Sequence, residues 1–180
     1  MDGKFLITTI VTILIAVTGL VAKYVNDLSI ANRKDKLERI NRQLKEFYGP
    51  ILSLSSSSNA TFIKFASTWK NKKYYFDNDN TASEKELAIW RNWMKSVFIP
   101  INEKIYEIII NNGDLIIENQ FPDCLKDFCA HVQTYRPIVS KWEINEFTEH
   151  TSLLNYPTEL GKYIEQGYKY LKMQQAKLIK

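Results

Sequence analysis

Cysteine, histidine, proline and glycine are all scarce in this chain, at two, two, five and six among 180 residues. Two cysteines cannot build a disulfide framework, and six glycines exclude a collagen-like repeat. No Walker A loop, dinucleotide-binding glycine pattern or G-x-S-x-G elbow is present, so the phosphate cradles and nucleophile turns that these motifs build are missing. Two histidines leave little room for a Ser-His-Asp or zinc constellation. No internal repeat is visible. Wholesale disorder is excluded by an aromatic content of 13% and an apolar content of 45%.

What is present is unevenly placed. Phe5 to Ala22 (FLITTIVTILIAVTGLVA) carries no charge. As a helix rising 1.5 Å per residue it reaches about 27 Å, close to the hydrocarbon thickness of a bilayer. Lys4 and Lys23 bracket it, and both can snorkel to the interface. The alternatives are a cleaved signal peptide, weakened by the length of the run and a poor cleavage pattern near Gly19–Ala22, and a buried soluble helix. Residues 1–25 are therefore read as a transmembrane anchor. Lys4 alone precedes the span, whereas Lys23, Arg33, Lys34, Lys36, Arg39 and Arg42 follow it. By the positive-inside rule the N-terminus lies outside and residues 26–180 lie in the cytoplasm. Thr12, Ala16 and Gly19 form a small-residue stripe that suits close approach of a second copy.

The remainder reads as all-α: an N-terminal transmembrane helix followed by a cytoplasmic helical bundle. An amphipathic helix is expected over residues 30–52, with Leu37, Ile40, Leu44, Phe47, Ile51 and Leu54 at heptad spacing. That stripe suits the core of an intramolecular bundle, or a homotypic coiled coil through residues 30–54. Gly49–Pro50 predicts a kink or a break, because proline lacks the donor and clashes with the preceding turn. The serine-rich residues 53–59 read as a loop and the bundle helices as lying within 60–180. Ser83 with Glu86 forms a capping box, opening a stripe of Leu87, Trp90, Met94, Val97, Ile101, Ile105 and Ile108. Pro100 within it predicts a kink or a junction of two helices. Asn111–Asn112–Gly113 reads as a left-handed stop. Pro122 opens a further helix to about Tyr135, Pro137 bends or restarts the chain, and a last helix begins near Pro157.

Candidate chemistry is thin. Cys124 and Cys129 are five residues apart, which on a helix turns the thiols about 140° from each other. His131 does not repair that divergence, so no metal site and no cofactor are assigned, and both thiols are read as reduced. Lys70, Lys72, Lys73, Tyr74 and Tyr75 form a lysine–aromatic cluster suited to nucleotide, nucleic acid or anionic lipid, or to a plain solvated turn. His150 with Glu146 and Glu149 is the only weak catalytic candidate, for a membrane-anchored hydrolase. Charge is blocked: residues 23–48 carry net +3, 137–159 carry −3 and 160–180 carry +4. The basic blocks suit a negatively charged membrane face, and the acidic one suits a basic partner or the basic tail of another copy.

Leu37 to Pro50 (LERINRQLKEFYGP) and His150 to Pro157 (HTSLLNYP) resemble segments of a family of uncharacterised bacterial proteins with an N-terminal hydrophobic segment and a helical remainder. His150, Thr151, Ser152, Asn155 and Pro157 match the second motif, whose physical role is read as a cap and a proline that starts the last helix. The resemblance implies a bacterial, membrane-associated helical protein and brings no activity, cofactor or catalytic residue. The expectation is a single-pass inner-membrane protein whose bundle is an interaction or scaffolding module. Its partners would be the lipid bilayer, an unidentified protein, and a second copy through residues 12–19 and 30–54. A nucleotide- or nucleic-acid-binding sensor and a hydrolase are the alternatives.

Overall fold

The computed structural model describes residues 3–68 and 82–179, and every regular element among them is helical. Helix α1 (Gly3–Arg42) passes through a π-helical segment (Gln43–Tyr48) into α2 (Gly49–Ala66). Together they form a continuous helix of 64 residues, about 96 Å long at 1.5 Å per residue. Helix α3 (Glu84–Trp93) likewise passes through a π-helical segment (Met94–Phe98) into α4 (Ile99–Asn111). A short 3-10 turn (Gly113–Leu115), α5 (Asp123–Glu143) and α6 (Glu159–Ile179) complete the chain.

Two cores hold the bundle together. The larger joins Phe47, Tyr48 and Ile51 to Ile105 and Ile109 of α4, Leu125 and Phe128 of α5, and Leu160 and Ile164 of α6. Each of these side chains is fully buried, worth about 1.5–3 kcal/mol apiece relative to exposure. The stripe from Ile40 to Leu54 therefore packs within the chain. The smaller core gathers Phe65 of α2, Trp90 and Met94, Phe98, and Tyr135, Ile138 and Trp142 of α5.

Several expectations are corrected. Residues 53–59 are helix, not loop. Ser55 and Ser58 are buried, and the hydroxyls of Ser53 and Ser55 donate to the carbonyls of Gly49 (3.0 Å) and Leu52 (3.3 Å). That back-bonding satisfies the serines without leaving the helix, and their small size suits the packing of α2 against α4 and α6.

Neither Pro50 nor Pro100 breaks its helix. Each follows a π-helical segment by one intervening residue, where the backbone N–H of Gly49 reaches back to Leu44 and that of Ile99 to Met94. The wider turn accommodates a residue that cannot donate to the carbonyl four positions back. Gly49 is required there, because a Cβ would strike the Leu44 carbonyl oxygen. Pro137 sits inside α5, which continues to Glu143.

The Asn112–Gly113 stop does end α4, but no glycine among the described residues has positive φ. The left-handed cap falls instead on Asn145 at φ 61°, after α5. Glu146 N–H donates to Lys141 (2.9 Å) and Asn145 N–H to Trp142 (3.3 Å), the two bonds of a Schellman closure. At Ser83 the expected capping box forms: the Glu86 carboxylate accepts from the Ser83 N–H at 2.8 Å and Ser83 Oγ accepts from the Glu86 N–H at 3.4 Å.

Candidate functional site

The described side chains from Gly3 through Lys36 are all exposed, including Phe5 (65%), Ile15 (67%) and Leu20 (69%). This helix is long and apolar enough to cross a membrane, and no part of its most apolar window is buried within the chain. Its threonine hydroxyls are internally satisfied. The hydroxyls of Thr8, Thr9, Thr12 and Thr18 each donate to the carbonyl four residues earlier, at 2.8–2.9 Å. Such bonds remove the cost of an unpaired hydroxyl in hydrocarbon.

Beyond this segment the fold brings together two basic blocks that are far apart in sequence. Helix α6 runs back alongside α1, so that Arg33 Nε donates to the carbonyl of Leu178 at 2.6 Å. The guanidinium thereby satisfies one of the open carbonyls at the C-terminal end of α6, where positive charge is favoured. One turn along, Gln175 Nε2 donates to Asn41 Oδ1 at 2.7 Å. Arg33 is eight residues past Val25, about 12 Å along the helix axis. Among the described residues, Lys34, Lys36, Arg39, Lys45, Lys172 and Lys177 have no carboxylate within 4.0 Å. A groove of about 500 Å³ runs between the first π-helical segment and α6, with Lys45 and Lys172 on its walls. The acidic stretch is at the other end of α6, which opens at Glu159.

Next to this surface, a directed chain of hydrogen bonds locks the bundle. The Ile117 N–H donates to Tyr48 Oη at 3.2 Å, Tyr48 and Tyr163 hydroxyls meet at 3.0 Å, and Tyr163 donates to Glu118 Oε2 at 2.7 Å. Because Tyr163 spends its proton on Glu118, Tyr48 is the donor between the two rings. Burial pushes the Tyr48 hydroxyl above its ordinary pKa, and burial together with the Tyr48 and Glu118 bonds does the same to Tyr163.

His150, Glu146 and Glu149 occupy the linker between α5 and α6, and their main chain ties that linker down. The His150 carbonyl accepts from Trp90 Nε1 (2.8 Å) and the Tyr135 hydroxyl (3.3 Å), and the Glu149 carbonyl from Trp142 Nε1 (2.7 Å). The Glu149 carboxylate pairs with Lys141 at 3.1 Å, and the Glu146 side chain is exposed. Burial, then the nearby Arg91, holds the His150 imidazole below its ordinary pKa, opposed by Glu84. Ser152 meets Thr134 at 2.5 Å and donates to the His131 carbonyl at 3.2 Å. The HTSLLNYP segment is thus a strap across α5, more than a cap for α6.

His131, Cys124 and Cys129 do not converge on a metal, and no cluster of three metal-ligating side chains occurs among the described residues. Cys129 is buried, and burial pushes its thiol up to about 11. Lys70, Lys72, Lys73, Tyr74 and Tyr75 lie outside the described residues.

Arg91 escapes a reading of the sequence. It is 8% exposed, reaches Glu84 at 3.7 Å and lies 4.0 Å over the Phe147 ring. No local pattern marks its burial, because the Phe147 ring it lies over comes from the linker after α5.

Compared with known protein families, with curated proteins and with solved structures, the chain matches none.

Proposed function

We propose that the chain is a single-pass protein of the bacterial inner membrane and that its helical bundle is a cytoplasmic interaction or scaffolding module. The observation that carries this reading is the long helix itself. Residues 5–22 carry no charge and the helix's most apolar window has no part buried within the chain, while Phe47, Tyr48 and Ile51 further along it belong to the core of the bundle. A helix apolar all round needs either a protein core or a lipid one. The excess of Lys and Arg after the span orients the bundle toward the cytoplasm. The paired basic blocks of α1 and α6 then sit where anionic headgroups attract them, at about 1 kcal/mol per basic side chain near the surface. The outward Thr12, Ala16 and Gly19 stripe supports self-association within the bilayer.

Crosslinking in native membranes, followed by capture of the full chain, tests the proposal. A crosslinked dimer or one reproducible protein partner is the expected result. A chain that crosslinks neither to itself nor to another protein contradicts a scaffolding role.

A further inference from the structure

The groove between the first π-helical segment and α6 has two ends of different chemistry. At one end Gln175 Nε2 donates to Asn41 Oδ1 at 2.7 Å, and Lys172 Nζ donates to Gln175 Oε1 at 2.7 Å. Both amide oxygens are thereby engaged, while Lys172 keeps two further N–H donors and Asn41 keeps its Nδ2. Lys45, from the π-helical segment, is exposed and has no carboxylate within 4.0 Å among the described residues. At the other end Gly49, Pro50, Leu52 and Tyr168 form the lining. The edge of the Tyr168 ring lies 3.8 Å from where a Gly49 Cβ would stand, so the ring sits against the Gly49–Pro50 step.

No carboxylate lines the groove. Glu46 and Glu165, on the two elements that form it, are paired with Arg42 and Lys169. The polar end therefore presents two ammonium groups and an amide donor without a counter-charge. A phosphate monoester, with close to two negative charges at pH 7 and three acceptor oxygens, matches that set. Inorganic phosphate would leave the apolar end uncovered. Lys172 and Tyr168 are one turn apart on α6, about 6 Å along its axis, which is the reach of an aryl phosphate. The volume of about 500 Å³ is that of a small-molecule site, and π-helical segments recur at such sites.

We infer that this groove binds a soluble aromatic phosphate monoester, with its phosphate between Lys45 and Lys172 and its ring against Tyr168 and Pro50. A lipid phosphate carries the same charge, but Lys45 is twenty residues past Val25, about 30 Å along the helix axis. The field of a headgroup layer fades within about 10 Å. Only this choice of source rests on the membrane reading; the groove and its lining do not.

The test uses the full chain in phosphatidylcholine nanodiscs at pH 7.5, with phenyl phosphate, inorganic phosphate and phenol as probes. Calorimetry gives affinities, and thermal unfolding shows whether binding is to the folded bundle. Phenyl phosphate is expected to bind and to raise the unfolding temperature. Inorganic phosphate is expected to be about tenfold weaker for want of the ring's buried area, and phenol about tenfold weaker for want of charge-assisted bonds. Lys45→Gln combined with Lys172→Gln alters two exposed side chains, so the unliganded unfolding temperature is expected to hold while phenyl phosphate weakens about tenfold. Lys95→Gln combined with Lys104→Gln removes the same charge from exposed positions outside the groove and is expected to leave binding unchanged. Adding phosphatidylglycerol to the nanodisc is expected to leave it unchanged as well. Absence of phenyl phosphate binding to the wild-type chain would overturn the inference. So would equal binding by wild type and the Lys45–Lys172 variant, an equal loss in the Lys95–Lys104 variant, or equal affinity for phenyl phosphate and either other probe. Competition by phosphatidylglycerol would overturn the soluble ester in favour of a lipid phosphate.

Discussion

The two halves of the first helix are one unbroken element with opposite surroundings. Ile13, Ile15 and Leu20 are 57–69% exposed, whereas Phe47, Tyr48 and Ile51, on the same helix, are fully buried. Both halves are helical, so hydrogen bonding along the backbone does not distinguish them. What differs is how the apolar residues are distributed around the axis. In the second half they form a stripe that three other helices cover, and in the first they surround the helix. Among the described residues, nothing in the chain covers the apolar run of the first half, whereas α4, α5 and α6 cover the stripe of the second.

That contrast can be broken most severely from the first half. Ile10→Arg combined with Leu14→Arg places two charges at mid-span, each opposing insertion by about 3 kcal/mol. Alkaline extraction of membranes is expected to release this variant while the wild type stays in the pellet, with bundle helicity by circular dichroism retained. The complementary change is Gly167→Val. A Cβ at Gly167 would collide with the Tyr48 ring, whose Cδ1 is 2.7 Å from that position and which has no space to retreat. A loss of about 3 kcal/mol is expected, or roughly 6–12 °C in unfolding temperature for a chain of this size, with membrane retention unchanged.

These two halves were not equally legible. Residues 5–22 announce themselves because a charge-free run needs no tertiary context. The heptad stripe from Leu37 to Leu54 announced a buried face but not its partner, since intramolecular and homotypic packing demand the same spacing. The serine run at 53–58 misled because serine's preference for turns is a local average. Here the hydroxyls of Ser53 and Ser55 bond back into the helix, and Ser55 and Ser58 are buried where small side chains pack. The π-helical segments were invisible in periodicity. Each inserts a residue into a turn, so the fully buried line after Met94 runs through Phe98 and Asn102, while Val97 and Ile101 pack half-buried against the cores. Asn102, a buried polar residue, was missed for that reason. His150 and Glu149 were legible as unusual residues, but their main-chain bonds to Trp90, Tyr135 and Trp142 depend on long-range packing.

Smaller effects sharpen the contrast within the bundle. Ser83→Ala removes the capping box of α3 and is expected to cost about 1 kcal/mol in chemical unfolding, again without altering membrane retention. The least effect comes from pH. His131 is held below its ordinary value of 6.5 by burial, outweighing the bond to Leu154. The unfolded chain then binds the proton more readily than the folded one, so stability falls as pH drops below about 6.5 and is recovered above it. Thermal unfolding at pH 5 and pH 7.5 is expected to show the lower midpoint at pH 5, and extraction from membranes no difference.

The most direct measurement of the central claim is cysteine accessibility along the first helix. In a background with Cys124 and Cys129 replaced, Asp2→Cys, Ile13→Cys and Lys34→Cys are each treated with a membrane-impermeant maleimide. The account predicts labelling of Asp2→Cys in intact spheroplasts, of Lys34→Cys only after permeabilisation, and of Ile13→Cys in neither condition. Labelling of Lys34→Cys in intact spheroplasts would reverse the orientation, and ready labelling of Ile13→Cys would contradict the membrane-spanning helix itself.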